Sequence, residues 1–304
     1  MSGLSRTIAS PVTLARRVTP QPVRSVLRAG YDRISYAVAG LPPRRLRAWI
    51  SPTWFDFHDT GRDQLEFFVE MAGLRPSDRV LDIACGVGRL AIPLTTYLNR
   101  RGSYDGFDIK EELIEWCQSK ISARRPNSQF QLAKVATRWS PNEQVSVDRY
   151  RFPYPDDRFD FAYAGSIFTH ILPGGASNYL RQTARVLRPG GRLVATWLIY
   201  NKRTLQLTRT ADSVERSWKF DHGDFRVKDD DQPEASIAYE EGAVRRMYAE
   251  AGLEILEPLR PDASYNAARI PHNRSEGIHL HHCLCVIAMR PNDMSGVGQP
   301  SQST

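Results

Sequence analysis

One stretch constrains this chain more than any other: Val80-Leu81-Asp82-Ile83-Ala84-Cys85-Gly86-Val87-Gly88-Arg89-Leu90. An apolar run carrying a single acid passes without a spacer into a loop holding two glycines. An apolar-periodic segment follows. Glycines in such a loop let the backbone turn tightly and approach a ligand closely, so the pattern predicts a buried strand, a ligand loop and a helix. That unit cannot stand alone. Its strand needs parallel neighbours, and its helix needs a sheet face to cover.

The rest of the chain supplies both. Leu65, Phe67, Phe68, Val69 and Met71 predict a helix over residues 61–72, closed by Gly73 and Pro76. Strands are expected over residues 79–83, 104–109, 130–135, 159–164 and 192–198, with helices over 89–98, 111–122 and 176–187. The last of these helices stops at Arg188-Pro189-Gly190-Gly191. Strands alternating with helices mean crossover connections and a doubly wound, mostly parallel α/β sheet. A helix over 240–251 leads into Leu253-Glu254-Ile255-Leu256, and a last strand over 284–289 closes the domain.

Charge divides the chain. Residues 1–50 hold nine Arg, no Lys and one acid, Asp32, a net of +8, whereas the whole chain of 304 residues carries +7. The remainder is therefore 7 − 8 = −1. A near-neutral body lacks the basic footprint of a nucleic-acid binder, so no nucleic-acid partner is expected. The boundaries that follow are a basic arm or cap over 1–58, a main domain over 59–290 and a disordered tail over 291–304. Three readings of the arm stay open: a solvated tail, an organelle transit segment, or a strip from Val23 to Val38 lying peripherally on an anionic membrane. No apolar run reaches the roughly 18 residues that span a bilayer. The four cysteines, Cys85, Cys117, Cys283 and Cys285, show no framework spacing and suit a reducing compartment, so the cytoplasm is expected, with an organelle or a membrane surface as alternatives. Oligomeric state is left open. An insertion over 200–238, bearing Tyr200, Trp218, Phe220, His222 and Phe225, reads as a lid.

The glycine loop admits two classes of ligand. Gly86, Gly88 and Ala91, with Asp108 twenty residues after Gly88, satisfy the dinucleotide pattern. Asp82 argues against a dinucleotide, because a carboxylate at the loop entrance would repel a pyrophosphate. A ligand with cations and no phosphate, such as S-adenosylmethionine, is attracted instead. Asp108, at the carboxyl end of the second strand, can accept from ribose hydroxyls in either case.

Four segments in order, covering roughly residues 60–290, resemble the class I S-adenosylmethionine-dependent methyltransferases. Leu81 to Arg89 is similar to the family's first motif, with Ala84 in place of its first glycine. Gly106-Phe107-Asp108-Ile109 is similar to the second, Phe152 to Ile171 to the segment entering strand four, and Arg185 to Trp197 to the strand-five motif. The resemblance implies a Rossmann-like methyltransferase fold, a seven-stranded sheet whose last strand is antiparallel. It implies S-adenosylmethionine as cofactor, with Asp82 near the methionine ammonium and Ala84, Cys85, Gly86 and Gly88 along the cofactor backbone. Asp108 would hold the ribose, Ile109 would pack on adenine, and the Ala164 carbonyl would accept from the ammonium. Many relatives place an acid just after strand three. Here that neighbourhood reads Ala133-Lys134-Val135, and Asp148 is the candidate farther on.

The acceptor is expected to be a small molecule methylated at a hydroxyl oxygen, with nitrogen and carbon acceptors open. Gly165-Ser166-Ile167-Phe168-Thr169-His170 lacks the Asn/Asp-Pro-Pro-aromatic run associated with base amines, and it lacks paired acids for a guanidinium. His170, a few residues beyond strand four, is the candidate general base, since histidine titrates near neutral pH. Its alternative is a structural role. His279, His281, Cys283 and Cys285 alternate on one strand face but find no second ligand cluster, so no metal is expected. A nicotinamide-dependent oxidoreductase and a non-catalytic binding member of the fold are the rival classes.

Overall fold

The computed structural model describes residues 40–50, 57–201, 218–261 and 283–292. The expectations for the arm before residue 40, the centre of the 200–238 insertion, His279, His281 and the tail beyond 292 lie outside the described residues. The chain divides into two units, Met1–Pro52 and Thr53–Thr304. In the first, the described stretch forms one helical turn, α1 (Arg44–Arg47), with Leu46 buried.

The second unit is built on one sheet. Its parallel part runs β3 (Ser128–Leu132), β2 (Ser103–Asp108), β1 (Arg79–Ile83), β4 (Phe159–Ala164) and β5 (Leu187–Tyr200) in spatial order. Antiparallel β11 (Cys283–Met289) lies along β5, with Cys283 opposite Leu198 and Met289 opposite Arg192. Two short strands, β9 (Glu254–Ile255) and β10 (Arg260–Pro261), share the far edge of β11. The expected doubly wound sheet with an antiparallel last strand is therefore present.

The expected count of seven strands is not: among the described residues the sheet has eleven. Part of the excess lies in the 200–238 insertion. Its described part adds β8 (Ile237–Glu240), β7 (Phe225–Val227) and β6 (Phe220–Asp221) beyond the tip of β5, where Ile199 and Tyr200 pair with Tyr239 and Glu240. Aromatic and β-branched side chains there satisfy a pleated, half-buried surface. The helix stops at Val186, one residue before the expected Leu187, and Arg188-Pro189-Gly190-Gly191 lie inside β5 and not before it, where the register shifts between the Phe159–Leu187 and Phe161–Arg192 pairs.

Helices cover both faces, which is why all six residues of β4 and the last four of β1 are buried. They are α2 (Phe57–Ala72), α3 (Ala91–Tyr97), α4 (Glu111–Cys117), α5 (Pro173–Val186) and α6 (Glu241–Glu250). On α2 the buried stripe is Phe57, Thr60, Gln64 and Phe68, at helical spacing. The opposite sheet face centres on Trp197, which stacks on Phe168 at 4.0 Å and donates through Nε1 to the Tyr248 hydroxyl at 3.0 Å. Burying a side chain such as Phe168 contributes about 1.5–3 kcal/mol.

Ion pairs close the amino end of the sheet. Asp160 accepts from Arg79 N at 2.7 Å and from Arg188 Nε at 2.7 Å, and Asp105 pairs with Arg158 at 3.0 Å. That arrangement leaves the carboxyl end for a ligand.

Candidate active site

Chain order and spatial order diverge between β1 and β4. From β1 the chain moves to β2 and β3 on one side, then returns to β4 and β5 on the other. Ligand crevices in open α/β sheets form outside the carboxyl ends of strands at such a point. Register sets the level. Ile83 lies opposite Phe107 on β2 and opposite Ala164 on β4, so Ala84 and Gly165 leave the sheet at the level of Asp108, the last residue of β2.

The loop after β1 is bent by three residues with positive φ: Ala84 at 61°, Gly86 at 54° and Gly88 at 74°. It is pinned through Cys85 N to Phe107 O at 3.0 Å and Gly88 N to Cys85 O at 3.1 Å. A Cβ on Gly88 would be strained by the positive φ and would fall 2.7 Å from Ile121 Cδ1 and 3.3 Å from Cys117 Sγ, so those side chains would have to shift. Gly106 is equally confined, its Cβ position lying 2.9 Å from Cys85 Cβ. The Cys85 and Cys117 thiols both point at the Gly86 carbonyl, at 3.7 and 3.8 Å. Burial pushes both thiols up, which leaves them inert and gives Cys85 a packing role beside the loop.

Asp108 organises this loop. Its Oδ2 accepts from Gly86 N at 2.9 Å and its Oδ1 from Lys110 N at 3.0 Å. Each carboxylate oxygen has a second lone pair for a ligand hydroxyl. Burial raises the Asp108 carboxyl, opposed by the Lys110 and Gly86 amides. Asp82 is more deeply enclosed, at 2% exposure, and accepts from the Tyr104 hydroxyl at 2.7 Å. Burial pushes it up to about 7, the Tyr104 hydroxyl and Arg89 oppose the rise, and Asp108 adds to it. Two carboxylates raised by burial, Asp82 further by the Asp108 charge, form a site that gains from a cation and repels a phosphate. Ile109 is half-buried against the core and Ala164 fully buried.

His170 stands in a second cluster. Its Nδ1 lies 3.0 Å from the Glu234 carbonyl, on a 3₁₀ turn (Pro233–Ala235) of the insertion. A carbonyl only accepts, so Nδ1 carries the proton and Nε2 keeps its lone pair. Trp139 meets the ring edge-on at 5.3 Å. Burial lowers the His170 pKa, the Glu234 carbonyl opposes that, and the Arg138 charge reinforces it. Arg138 also donates to Gln232 Oε1 at 2.7 Å, joining the loop after β3 to the insertion.

The structure thus gathers Cys85, Gly86, Gly88 and Asp108 into one hydrogen-bonded group, with Asp82, Ala84 and Ala164 at the adjoining strand ends and His170 six residues beyond Ala164. Asp148 is exposed, its carboxyl held low by the Ser146 hydroxyl. Sequence reasoning missed Tyr104, Trp139 and Glu234. Tyr104 lies two residues before Gly106, the register partner of Asp82, and nothing local marks it. No group of three or more His, Cys, Asp or Glu among the described residues could hold a metal ion. No helix among them is long and apolar enough to cross a membrane.

Residues 80–191 match the family model of a methyltransferase domain. With the sheet order and the glycine loop, the match makes residues 80–191 an S-adenosylmethionine-dependent methyltransferase domain of class I type. The chain is similar to a 2-phytyl-1,4-naphtoquinone methyltransferase of Synechococcus elongatus, 31% identical over 147 residues, 44% of this chain and 56% of that one. It is also similar to the ubiquinone/menaquinone biosynthesis C-methyltransferase UbiE of Pseudomonas entomophila, 30% identical over 148 residues, 48% of this chain and 50% of that one. The chain spans about half the length of these curated relatives. A solved S-adenosylmethionine-dependent methyltransferase from Mesorhizobium loti aligns with 72% of this chain and 94% of that one, at 19% identity and a TM-score of 0.49.

Proposed function

We propose that this chain transfers a methyl group from S-adenosylmethionine to a small-molecule acceptor bearing an ionisable hydroxyl, with the hydroxyl oxygen as nucleophile. The observation that carries the reading is the His170 ring, tied at Nδ1 to the Glu234 carbonyl so that Nε2 is the basic nitrogen. The donor set fits the cofactor, since buried Asp82 and Asp108 favour a cation at the loop.

In this reading Asp82 holds the methionine ammonium together with the Ala164 carbonyl. Ala84, Cys85, Gly86 and Gly88 line the cofactor, Asp108 accepts from the ribose hydroxyls, and Ile109 packs on adenine. When bound, the cofactor supplies a methyl carbon on a cationic sulfur, a leaving group that needs no acid. His170 Nε2 would take the proton of an acceptor hydroxyl whose oxygen is held toward that carbon. Alignment of the two reactants can account for about 7–11 kcal/mol of the barrier in favourable systems.

Carbon is the second reading. The relatives' names describe quinone methylation, at carbon for one of them. A ring carbon beside the hydroxyl would be the nucleophile once His170 takes the hydroxyl proton, and that carbon's own proton would then be lost to restore the aromatic hydroxyl. Methyl-labelled cofactor with a hydroxylated ring acceptor, analysed by NMR, separates oxygen from carbon attachment. A protein that binds the cofactor yet labels no acceptor would be a non-catalytic member of the fold. Calorimetry against nicotinamide dinucleotides tests the remaining rival. For domain organisation we propose the arm or cap over 1–58, the catalytic domain over 59–290 with its insertion at 200–238, and the tail over 291–304.

A further inference from the structure

We propose that Ser166 is a specificity-determining residue whose hydroxyl bonds an oxygen of the methyl acceptor. The inference rests on the methyl-transfer reading above. Ser166 follows the last residue of β4 by two positions and has a φ of +58°, in the left-handed region that L side chains rarely adopt.

Buried groups impose this conformation from both sides. Ser166 N donates to Thr196 Oγ1 at 2.7 Å, and Thr196 is 1% exposed. The Ser166 carbonyl accepts from Thr169 Oγ1 at 2.9 Å. Two residues on, Phe168 is locked against Trp197 in a stack 6° from parallel. On the other side Gly165 has no room for a side chain, because its Cβ would fall 2.5 Å from the Tyr163 hydroxyl oxygen. That oxygen accepts from buried Gln64 Nε2 at 2.8 Å, which ties the turn to α2. The Ser166 side chain, in contrast, is exposed.

Glycine would hold this turn without strain. Serine holds it at a cost, and strain kept by over-determined surroundings characterises ligand sites. The hydroxyl is what serine adds. Pairing of Ile83 with Ala164 sets the turn beside the glycine loop across the β1–β4 switch point. A hydroxyl there can donate to, or accept from, a hydroxyl or carbonyl oxygen of the acceptor. A turn already rigid gives up little entropy on binding.

Two variants of the full chain test this. Calorimetry with S-adenosylmethionine reads cofactor affinity, and labelled methyl transfer to a 2-alkyl-1,4-naphthoquinol or a small-metabolite extract reads turnover. Ser166→Gly should raise Tm by roughly 2–4 °C, leave cofactor affinity within about twofold, and raise the acceptor KM about tenfold. Ser166→Ala removes the hydroxyl but keeps the strained backbone. It should raise KM equally without the gain in Tm, and it carries the test should the glycine variant misfold. Active wild-type protein whose variants keep the acceptor KM overturns this inference alone. Wild-type protein that binds cofactor but labels no acceptor overturns the methyl-transfer reading, and this inference with it.

Discussion

The Tyr104 hydroxyl donates to Asp82 Oδ2 at 2.7 Å with both residues at 2% exposure or less. One hydrogen bond is a small return for burying a carboxylate, and the Asp82 carboxyl is pushed up to about 7. Near neutral pH the group is poised between forms, and a ligand cation selects the charged one.

Cofactor affinity should therefore rise about tenfold between pH 6 and pH 8, flattening above 7, because binding below 7 must release the Asp82 proton. Asp82→Asn should bind more weakly and lose this slope, as read by calorimetry across buffers. Stability without cofactor should move the other way. The folded pKa exceeds the unfolded value of roughly 3.9, so stability present below that value is lost as pH rises through about 7. Thermal melts of the wild type, compared with Asp82→Asn, should fall between pH 5 and pH 7.

Removal of the Asp108 side chain should weaken cofactor binding by about 1.5–3 kcal/mol, the range for hydrogen bonds to a charged group. The loss combines two effects, since Asp108 also holds Gly86 N at 2.9 Å. Asp108→Asn keeps an acceptor for that amide and should fall between the wild type and Asp108→Ala. Equal binding by all three would remove Asp108 from the site.

His170→Ala should spare cofactor binding and lower turnover by roughly 10²–10⁴, the usual contribution of a positioned base. Wild-type turnover should rise with pH through an ionisation below the ordinary 6.5, because burial favours the neutral ring. The variant should lack that inflection. Unchanged turnover with an unchanged pH profile would assign His170 to structure and move the search for a base to Tyr200 or His222.

Gly88→Ala tests the loop itself. Its φ of 74° and the 2.7 Å approach of Ile121 Cδ1 should together cost about 1–3 kcal/mol. A Tm lowered by several degrees, with cofactor binding reduced as well, is the expected result. A silent substitution would show that the loop relaxes freely.

The arm yields a separate expectation. Deletion of residues 1–45 should leave cofactor affinity largely intact while abolishing association with anionic vesicles. Loss of cofactor binding would instead make those residues part of the pocket's cap.

Much of this was legible in the residues themselves. Segments ending at Ile83, Asp108 and Ala164, each running into a loop and alternating with helical stretches, showed strands of a mostly parallel sheet and pointed to their carboxyl ends as the ligand side. The glycines at 86 and 88 announced a close backbone turn, and Asp82 announced a cation, because these features depend on local sterics and on charge. The partners of those residues were not legible. Tyr104 reaches Asp82 only through the parallel register of β1 and β2, and Glu234 reaches His170 across 64 positions of chain. Nor could the sequence tell that the described part of the insertion adds strands at the tip of β5, since short apolar runs suit a lid or a sheet edge equally. Local pattern fixes which residues face a ligand end, whereas long-range pairing alone decides which groups meet there, how deeply each carboxylate is buried, and hence which form it takes at neutral pH.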